Sequence, residues 1–360
     1  MCTEADQNIS VSPARLQAVM ILLANWTSPT IKRTILEQVG NDVITLKEAN
    51  MLSSKQLLAV SPEEWCREEE NCVPMIELQT LLWAQKELEV KEDGLNKVID
   101  YFPIILKSVD FMDSELKSKI DGVVEEATHG LIKELDLQIT KETIAIITDI
   151  LYFKAMWREN FEPENTREQI FYGTKGKEKV PMMKRTDTME YMEMQTCQMI
   201  RLPYMCMSKE DVRFSMRIYL PKQKHTFHDV LLERWNDQFC LYTEEQEVKL
   251  TLTRFSVESS INMQGLLQEL GLSCIYDSND LIPDCIKDLK VEQIIQQTKV
   301  VVDENGTEAA AVTSVGMMCG CLPFEKPEPV VMTVNRPFIF EITEDETNTV
   351  LFIGVINNIE

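Results

Sequence analysis

The chain has 360 residues, 44% hydrophobic and 26% charged, with a formal net charge of −23; it can bury a large core, and disordered and fibrous classes are excluded. The acidic surplus, with no Lys/Arg stripe, argues against nucleic-acid partners and anionic membrane surfaces, which would repel it. Met1-Cys2-Thr3-Glu4-Ala5-Asp6 lacks a basic start and apolar stretch, and no segment is apolar for long enough to cross a bilayer, so cytosolic residence is expected; release without a signal peptide and extracellular action stay open.

The first part of the chain reads mainly as helices. Apolar residues recur at three- and four-residue spacing over Ala14–Leu23, Ile31–Val39 and Glu77–Glu87, and a long mixed amphipathic pattern covers Asp113–Ile132. Ser28 and Thr30 around Pro29 form a helix start. The run Ile144–Phe153 is β-branched and apolar on both faces apart from Asp149, as a strand in the middle of a sheet requires. Strands are then predicted over Met189–Leu202, Val212–Leu220, Glu247–Glu258, Ile294–Asp303, Val330–Val334, Phe338–Thr343 and Val350–Ile356. Helices are predicted between them over His225–Asn236 and Asn262–Leu270. Without an internal repeat, helices first and strands later indicate α+β, read as one domain over residues 1–360.

No catalytic constellation emerges. GxSxG, HExxH, P-loop and GxGxxG patterns are all absent, so no enzyme activity and no cofactor is expected. His225 and His228 could share a helix face, but without a third His or a nearby Cys they read as a solvated helix start rather than a metal site. The acidic run Glu68-Glu69-Glu70 reads as a solvated face. Ten cysteines are too dilute for a disulfide scaffold and read as free thiols of a reducing compartment.

The segment from Asp303 to Cys321 stands apart. It follows the strand-like Val300–Val302 and precedes Pro323, Pro327 and Pro329. Such a stretch ordinarily means an exposed linker, yet its side chains alternate. Thr307, Ala309, Ala311, Thr313, Val315, Met317 and Cys319 form one uncharged face; Glu308, Ala310, Val312, Ser314, Gly316 and Met318 form the other. Small and β-branched residues in that order could enter a sheet with the first set buried. A loop with a strand's pattern is a candidate for conformational insertion.

In these residues the chain resembles the serpin family, along nearly its whole length. Glu304–Thr313 is similar to the serpin hinge, with Gly306-Thr307-Glu308-Ala309-Ala310 intact and Ala311 and Val312 following. Tyr152-Phe153-Lys154-Ala155-Met156-Trp157-Arg158-Glu159-Asn160-Phe161 resembles a family signature, with Ala155 in place of Gly. Asn8 through Ser12-Pro13, Thr128–Ile132, Val180–Met183, Leu202-Pro203-Tyr204, Asn335–Phe338 and Phe352-Ile353-Gly354 are similar too. The resemblance implies the serpin fold: about nine helices, three β-sheets with a large central one, and an exposed reactive-centre loop, here about 304–329. It implies a metastable monomer that a target protease cleaves and acylates, after which the cut loop inserts as a new central strand. The expected partner is a serine protease in covalent complex, with a papain-like cysteine protease as the cross-class candidate.

The resemblance further implies that Trp157, Arg254 and Glu304 meet at the top of the sheet, the last two as an ion pair. At mid-sheet, where serpins carry a polar network, Ser12 stands with Arg15, Asp149 and Gln296, and a buried Arg15–Asp149 pair is expected to replace the usual hydrogen bonds. The family's usual first helix has almost no sequence left before Asn8, which reads as a truncated chain or a differently covered lower sheet.

Two counts place the scissile bond differently. Taking Glu304 as the first of about seventeen residues gives Gly320–Cys321, with Cys319–Gly320 and Met318–Cys319 just before it; counting back from Asn335–Phe338 gives Phe324–Glu325 or Lys326–Pro327. Proline after Lys326 and after Leu322 disfavours those bonds. Met318, Cys319 and Phe324 suit the apolar pockets of chymotrypsin-, cathepsin G- or elastase-like enzymes, and the Met318–Gly320 region is preferred. Oxidation of Cys319 or Cys321 could block cleavage, although both also read simply as small residues compatible with insertion. The alternative function is a non-inhibitory serpin, a chaperone or binding scaffold. Ala309, Ala310 and Ala311 favour inhibition, while the Arg15/Asp149/Gln296 set and the short N-terminus favour the alternative.

Overall fold

The computed structural model describes residues 6–39, 45–60, 75–89, 91, 96, 98–130, 132–205, 214–236, 244–277, 290–307 and 328–359. Helix α1 (Pro13–Trp26) starts where Ser12 caps it, its Oγ accepting from the Arg15 N–H, with Pro13 in the first turn. Nine of its residues are buried, from Arg15 to Trp26, so α1 is a core helix with no solvent face of any width. Helices α2 (Pro29–Val39) and α3 (Leu46–Val60) pack on it. Helix α4 (Leu116–Ala127) shields the other face of a six-stranded sheet through Leu116, Ile120 and Val124.

That sheet has the order β10 (Phe255–Asn262), β11 (Val291–Val302), β12 (Gly306–Thr307), β4 (Ala145–Met156), β2 (Met75–Gln85) and β3 (Ile104–Val109). Strand β4 is buried nearly throughout: Ala145 and Ile147 lie in the core around α1, Ile146 and Ile150 in the core beneath α4, and Leu151, Phe153 and Ala155 in the core between the sheets. The same two-sided burial accounts for a correction at Glu77–Glu87, which as far as Gln85 is strand β2, followed by a turn, and not a helix. Leu82 and Ala84 enter the core around α1 while Leu81 and Trp83 enter the core beneath α4. A short apolar run serves a buried strand as well as a helix, and here the strand wins.

The second sheet has nine strands, ordered β1 (Ile9–Val11), β15 (Thr349–Ile356), β14 (Phe338–Glu344), β8 (Phe214–Pro221), β7 (Cys197–Pro203), β6 (Lys177–Glu193), β9 (Glu244–Thr253) and β13 (Val330–Val334), with β5 (Arg167–Tyr172) also on β6. Strand β6 is 17 residues long and pairs with β5, β7 and β9. It thereby joins into one hydrogen-bonded sheet what the resemblance leads one to expect as two. Seven α-helices occur among the described residues, the others being α5 (Phe227–Asn236), α6 (Gln264–Glu269) and α7 (Cys274–Asp277). The stretch Met189–Leu202 is a hairpin of β6 and β7 rather than one strand, and Glu247–Glu258 breaks at Arg254, where the chain leaves one sheet for the other. The main core fills the space between the sheets, with Phe153, Trp157, Tyr204, Phe338 and Phe340 among its largest members.

Candidate functional site

The site grows from the contact between β11 and β4. The two strands pair directly and in parallel from Val291–Lys299 against Ala145–Tyr152, with Gln296 opposite Asp149. Above that they part, and β12 fills the opening. Gly306 pairs with Met156 and Thr307 with Ala155 on one side, and Thr307 pairs with Val302 on the other, both antiparallel. Two residues of the hinge, Gly306 and Thr307, are therefore already strand within the sheet.

Local chemistry explains the tight return from β11 into β12. The Asp303 carboxylate accepts the N–H groups of Asn305 (2.7 Å) and Gly306 (3.2 Å), and the Asp303 N–H donates to the Gly306 carbonyl (2.9 Å). Burial raises the Asp303 carboxyl above its ordinary range, the two backbone donors opposing the shift. Gly306 sits at φ +151°, and a Cβ there would lie 2.1 Å from the Ala155 carbonyl oxygen, so the strand enters the opening only because position 306 has no side chain. Thr307 is fully buried, and its Oγ1 lies 2.7 Å from the Tyr204 hydroxyl. Tyr204 stacks on Trp157 with ring centroids 4.6 Å apart. Trp157 in turn donates from Nε1 to the Asp303 carbonyl (2.9 Å) and from its backbone N–H to that of Asn305 (2.8 Å).

The expected Arg254–Glu304 ion pair is present. Arg254 stands at the corner between β9 and β10 and donates from Nε to Glu304 Oε2 (2.8 Å) and from Nη2 to Oε1 (2.6 Å), while the Thr166 hydroxyl donates to Oε1 (2.5 Å). Burial pushes the Glu304 carboxyl up, but the hydrogen bonds from Arg254 and Thr166 outweigh it and hold the group below the usual carboxylate range. The Arg254 side chain is 46% exposed, so solvent screens the pair and its worth is at most about 1 kcal/mol.

At mid-sheet Arg15 and Asp149 also form the expected pair, with side-chain exposures of 1% and 2%. Arg15 donates to Asp149 Oδ1 from Nε (3.1 Å) and from Nη2, and Nη2 also reaches Thr80 Oγ1 on β2 (2.5 Å). Thr80 donates to the same Oδ1 (3.0 Å), whereas Asp149 Oδ2 is buried with no hydrogen-bond partner among the described residues. Gln296 is held separately: its Oε1 accepts the Ser12 N–H (2.7 Å) and its Nε2 donates to the Ser12 carbonyl (3.1 Å). Thus α1 grips β4 through one side chain and β11 through another.

Glu308, Ala309, Ala310, Ala311, Val312 and Thr313 of the hinge, and Met318, Cys319, Gly320, Cys321 and Phe324 of the scissile region, lie outside the described residues. No role for Asp303, Thr166 or Thr80 follows from the sequence pattern. Tyr204 was visible only inside the Leu202-Pro203-Tyr204 motif. Among the described residues no group of three or more His, Cys, Asp or Glu side chains is arranged to hold a metal ion.

The family profile described as "Serpin (serine protease inhibitor)" matches residues 1–359. An uncharacterized serpin-like protein of Thermococcus kodakarensis is 32% identical over 287 residues, covering 77% of this chain and 65% of that relative, just under two thirds of its length. A serine protease inhibitor of Cyanea capillata is 26% identical over 371 residues, covering 98% of this chain and 93% of its own. Among solved structures, the native state of the thermophilic serpin tengpin superposes with a TM-score of 0.85 at 22% identity, covering 99% of this chain and 90% of that one.

Proposed function

This chain belongs to the serpin family, and from that premise we propose that it is a suicide inhibitor of a chymotrypsin-, cathepsin G- or elastase-like serine protease. The protease nucleophile attacks the carbonyl of the residue before the scissile bond in the Met318–Cys321 region, forming an ester to the enzyme and releasing the new amino terminus of the C-terminal piece. The freed segment then continues the path of β12 down between β4 and β11, carrying the acylated enzyme with it.

The observation that carries this reading is β12 itself, two residues of the hinge paired antiparallel to both neighbours. Continuing its register, in which Thr307 faces Ala155 and Val302, brings Thr313 between Asp149 and Gln296. The buried face would then be Thr307, Ala309, Ala311, Thr313, Val315 and Met317, all uncharged. Separating β4 from β11 breaks their direct pairing, which the incoming strand replaces on both of its edges.

Incubation with chymotrypsin, cathepsin G, elastase and a papain-like enzyme tests the reading. A covalent complex that survives denaturing electrophoresis is expected with one of the serine proteases, and mass spectrometry of the released C-terminal peptide identifies the cut. Turnover of the loop as ordinary substrate by all four, with no complex, overturns inhibition. The buried Arg15–Asp149 pair favours the second reading, a non-inhibitory scaffold, because it adds a charged latch where the sheet would have to open. That reading expects a cleaved chain no more stable than the intact one.

A further inference from the structure

Strand ends of the nine-stranded sheet meet at a groove of about 390 Å3, formed by the end of β8, the start of α5, the approach to β14, the turn after β5 and the chain beyond β15. Its lining is cationic in a chain whose net charge is −23: Lys222, Lys224, His225 and Arg336 contribute to it, and no Asp or Glu does. Two of these four are already answered by carboxylates. Lys222 Nζ lies 2.6 Å from Glu193 Oε1, and His225 Nδ1 lies 3.9 Å from Asp229 Oδ2. Nor is the start of α5 open to an anion, because the Thr226 N–H and hydroxyl already donate to Asp229 (2.7 and 2.9 Å).

Arg336 and Lys224 are not answered. Arg336 is half-buried, and its Nε (3.2 Å) and Nη2 (2.9 Å) both donate to the Pro221 carbonyl, with no carboxylate paired to it among the described residues. Burial lowers its pKa, and no acidic neighbour opposes the shift. A guanidinium has five N–H donors, so three remain for a ligand. Lys224 sits in a turn closed by the His225 N–H on the Lys222 carbonyl (3.1 Å), with φ +81°. Glycine ordinarily fills such a position, since an L side chain is strained there. Here the chain holds a lysine instead, exposed at the edge of the groove. The Thr174 hydroxyl, also on the groove, accepts from Asn358 Nδ2 (2.9 Å), which leaves its own proton free to donate.

We propose that this groove binds a small phosphate monoester carrying one aromatic ring. The phosphoryl oxygens accept from the Arg336 fork, the Lys224 ammonium and the Thr174 hydroxyl, and the ring lies against Phe227 and Pro337. A phosphate monoester carries about −1.5 to −2 charges at pH 7, which matches two unanswered cations, whereas a carboxylate brings only one. Binding here requires no protease and no opening of the six-stranded sheet, so it is independent of the inhibitory reading.

Isothermal titration of the intact chain with phenyl phosphate at low ionic strength tests the site. One saturable site per chain is expected, weakening as salt is added. Phenol, benzoate and inorganic phosphate should each bind at least tenfold more weakly. Lys224→Gly removes the charge and relieves the backbone, so it should weaken binding at least fivefold without lowering the melting temperature. Arg336→Gln should weaken binding further, and Lys47→Gln, at an exposed lysine of α3, should change nothing. Absence of saturable binding, unchanged affinity in Lys224→Gly, or an equal loss in Lys47→Gln overturns the site even if Arg336→Gln fails to fold. Phenol, benzoate or inorganic phosphate binding as tightly as phenyl phosphate overturns the assignment of the ligand.

Discussion

The top and the middle of the six-stranded sheet hold the same two strands in opposite ways. At the top, β4 and β11 have parted and two small residues occupy the gap, secured by a glycine, a buried hydroxyl pair and a half-exposed ion pair. At the middle the strands pair directly, and α1 fastens each of them, β4 through a buried Arg–Asp pair and β11 through a glutamine. The difference teaches where resistance to the proposed insertion resides. Beyond Thr307, extension of β12 must break the direct pairing of β4 and β11 from Tyr152 and Lys299 downward, and it meets dense buried polar contacts once it reaches Asp149 and Gln296.

The largest expected effect lies at the middle. Arg15→Ala or Asp149→Ala strands a buried charge and should cost about 3–5 kcal/mol, whereas replacing both with apolar residues of similar volume should cost far less. Urea unfolding midpoints of the two single variants and the double variant check this. Equal losses in all three would mean that the latch is ordinary packing. At the top, Gly306→Val places a side chain against the Ala155 carbonyl and should cost up to about 3 kcal/mol through backbone strain or expulsion of β12. A changed Trp157 emission would report the expulsion, since that indole donates to the Asp303 carbonyl.

Thr307→Val removes one half of the buried hydroxyl pair with Tyr204 and should cost about 1–3 kcal/mol, a loss that Tyr204→Phe in the same chain should largely restore. Arg254→Gln should cost at most about 1 kcal/mol. Its signature is the dependence on pH. Because the folded-state pKa of Glu304 is lowered from 4.5, its stabilisation is complete above that ordinary value and is lost as pH falls through the lowered one. Stability curves from pH 7 to pH 3 should lose this acid-dependent component in the variant.

Much of this contrast was legible in the sequence, for different reasons at the two places. The hinge announced itself by alternation, Thr307 and the small residues after it forming one uncharged face; that Gly306 allows a close approach of backbones came only from the structure. Asp149 was conspicuous as the only charge in an otherwise apolar strand. That Arg15 would answer it came from the resemblance, because helix periodicity alone gives no partner in a distant strand. Thr80 and Thr166 were illegible, since a threonine in a strand or loop looks the same whether or not it meets a buried carboxylate. Strand β2 was misread because Leu81, Leu82 and Trp83 are buried on alternate faces, and burial on both faces erases the period of two.

Inhibition by insertion requires a sheet that is more stable once the severed loop has joined it, and calorimetry of the intact chain beside the chain cut once in the Met318–Cys321 region measures that directly. A melting temperature tens of degrees higher is expected after the cut. Identical melting temperatures for the two forms would contradict the proposed insertion.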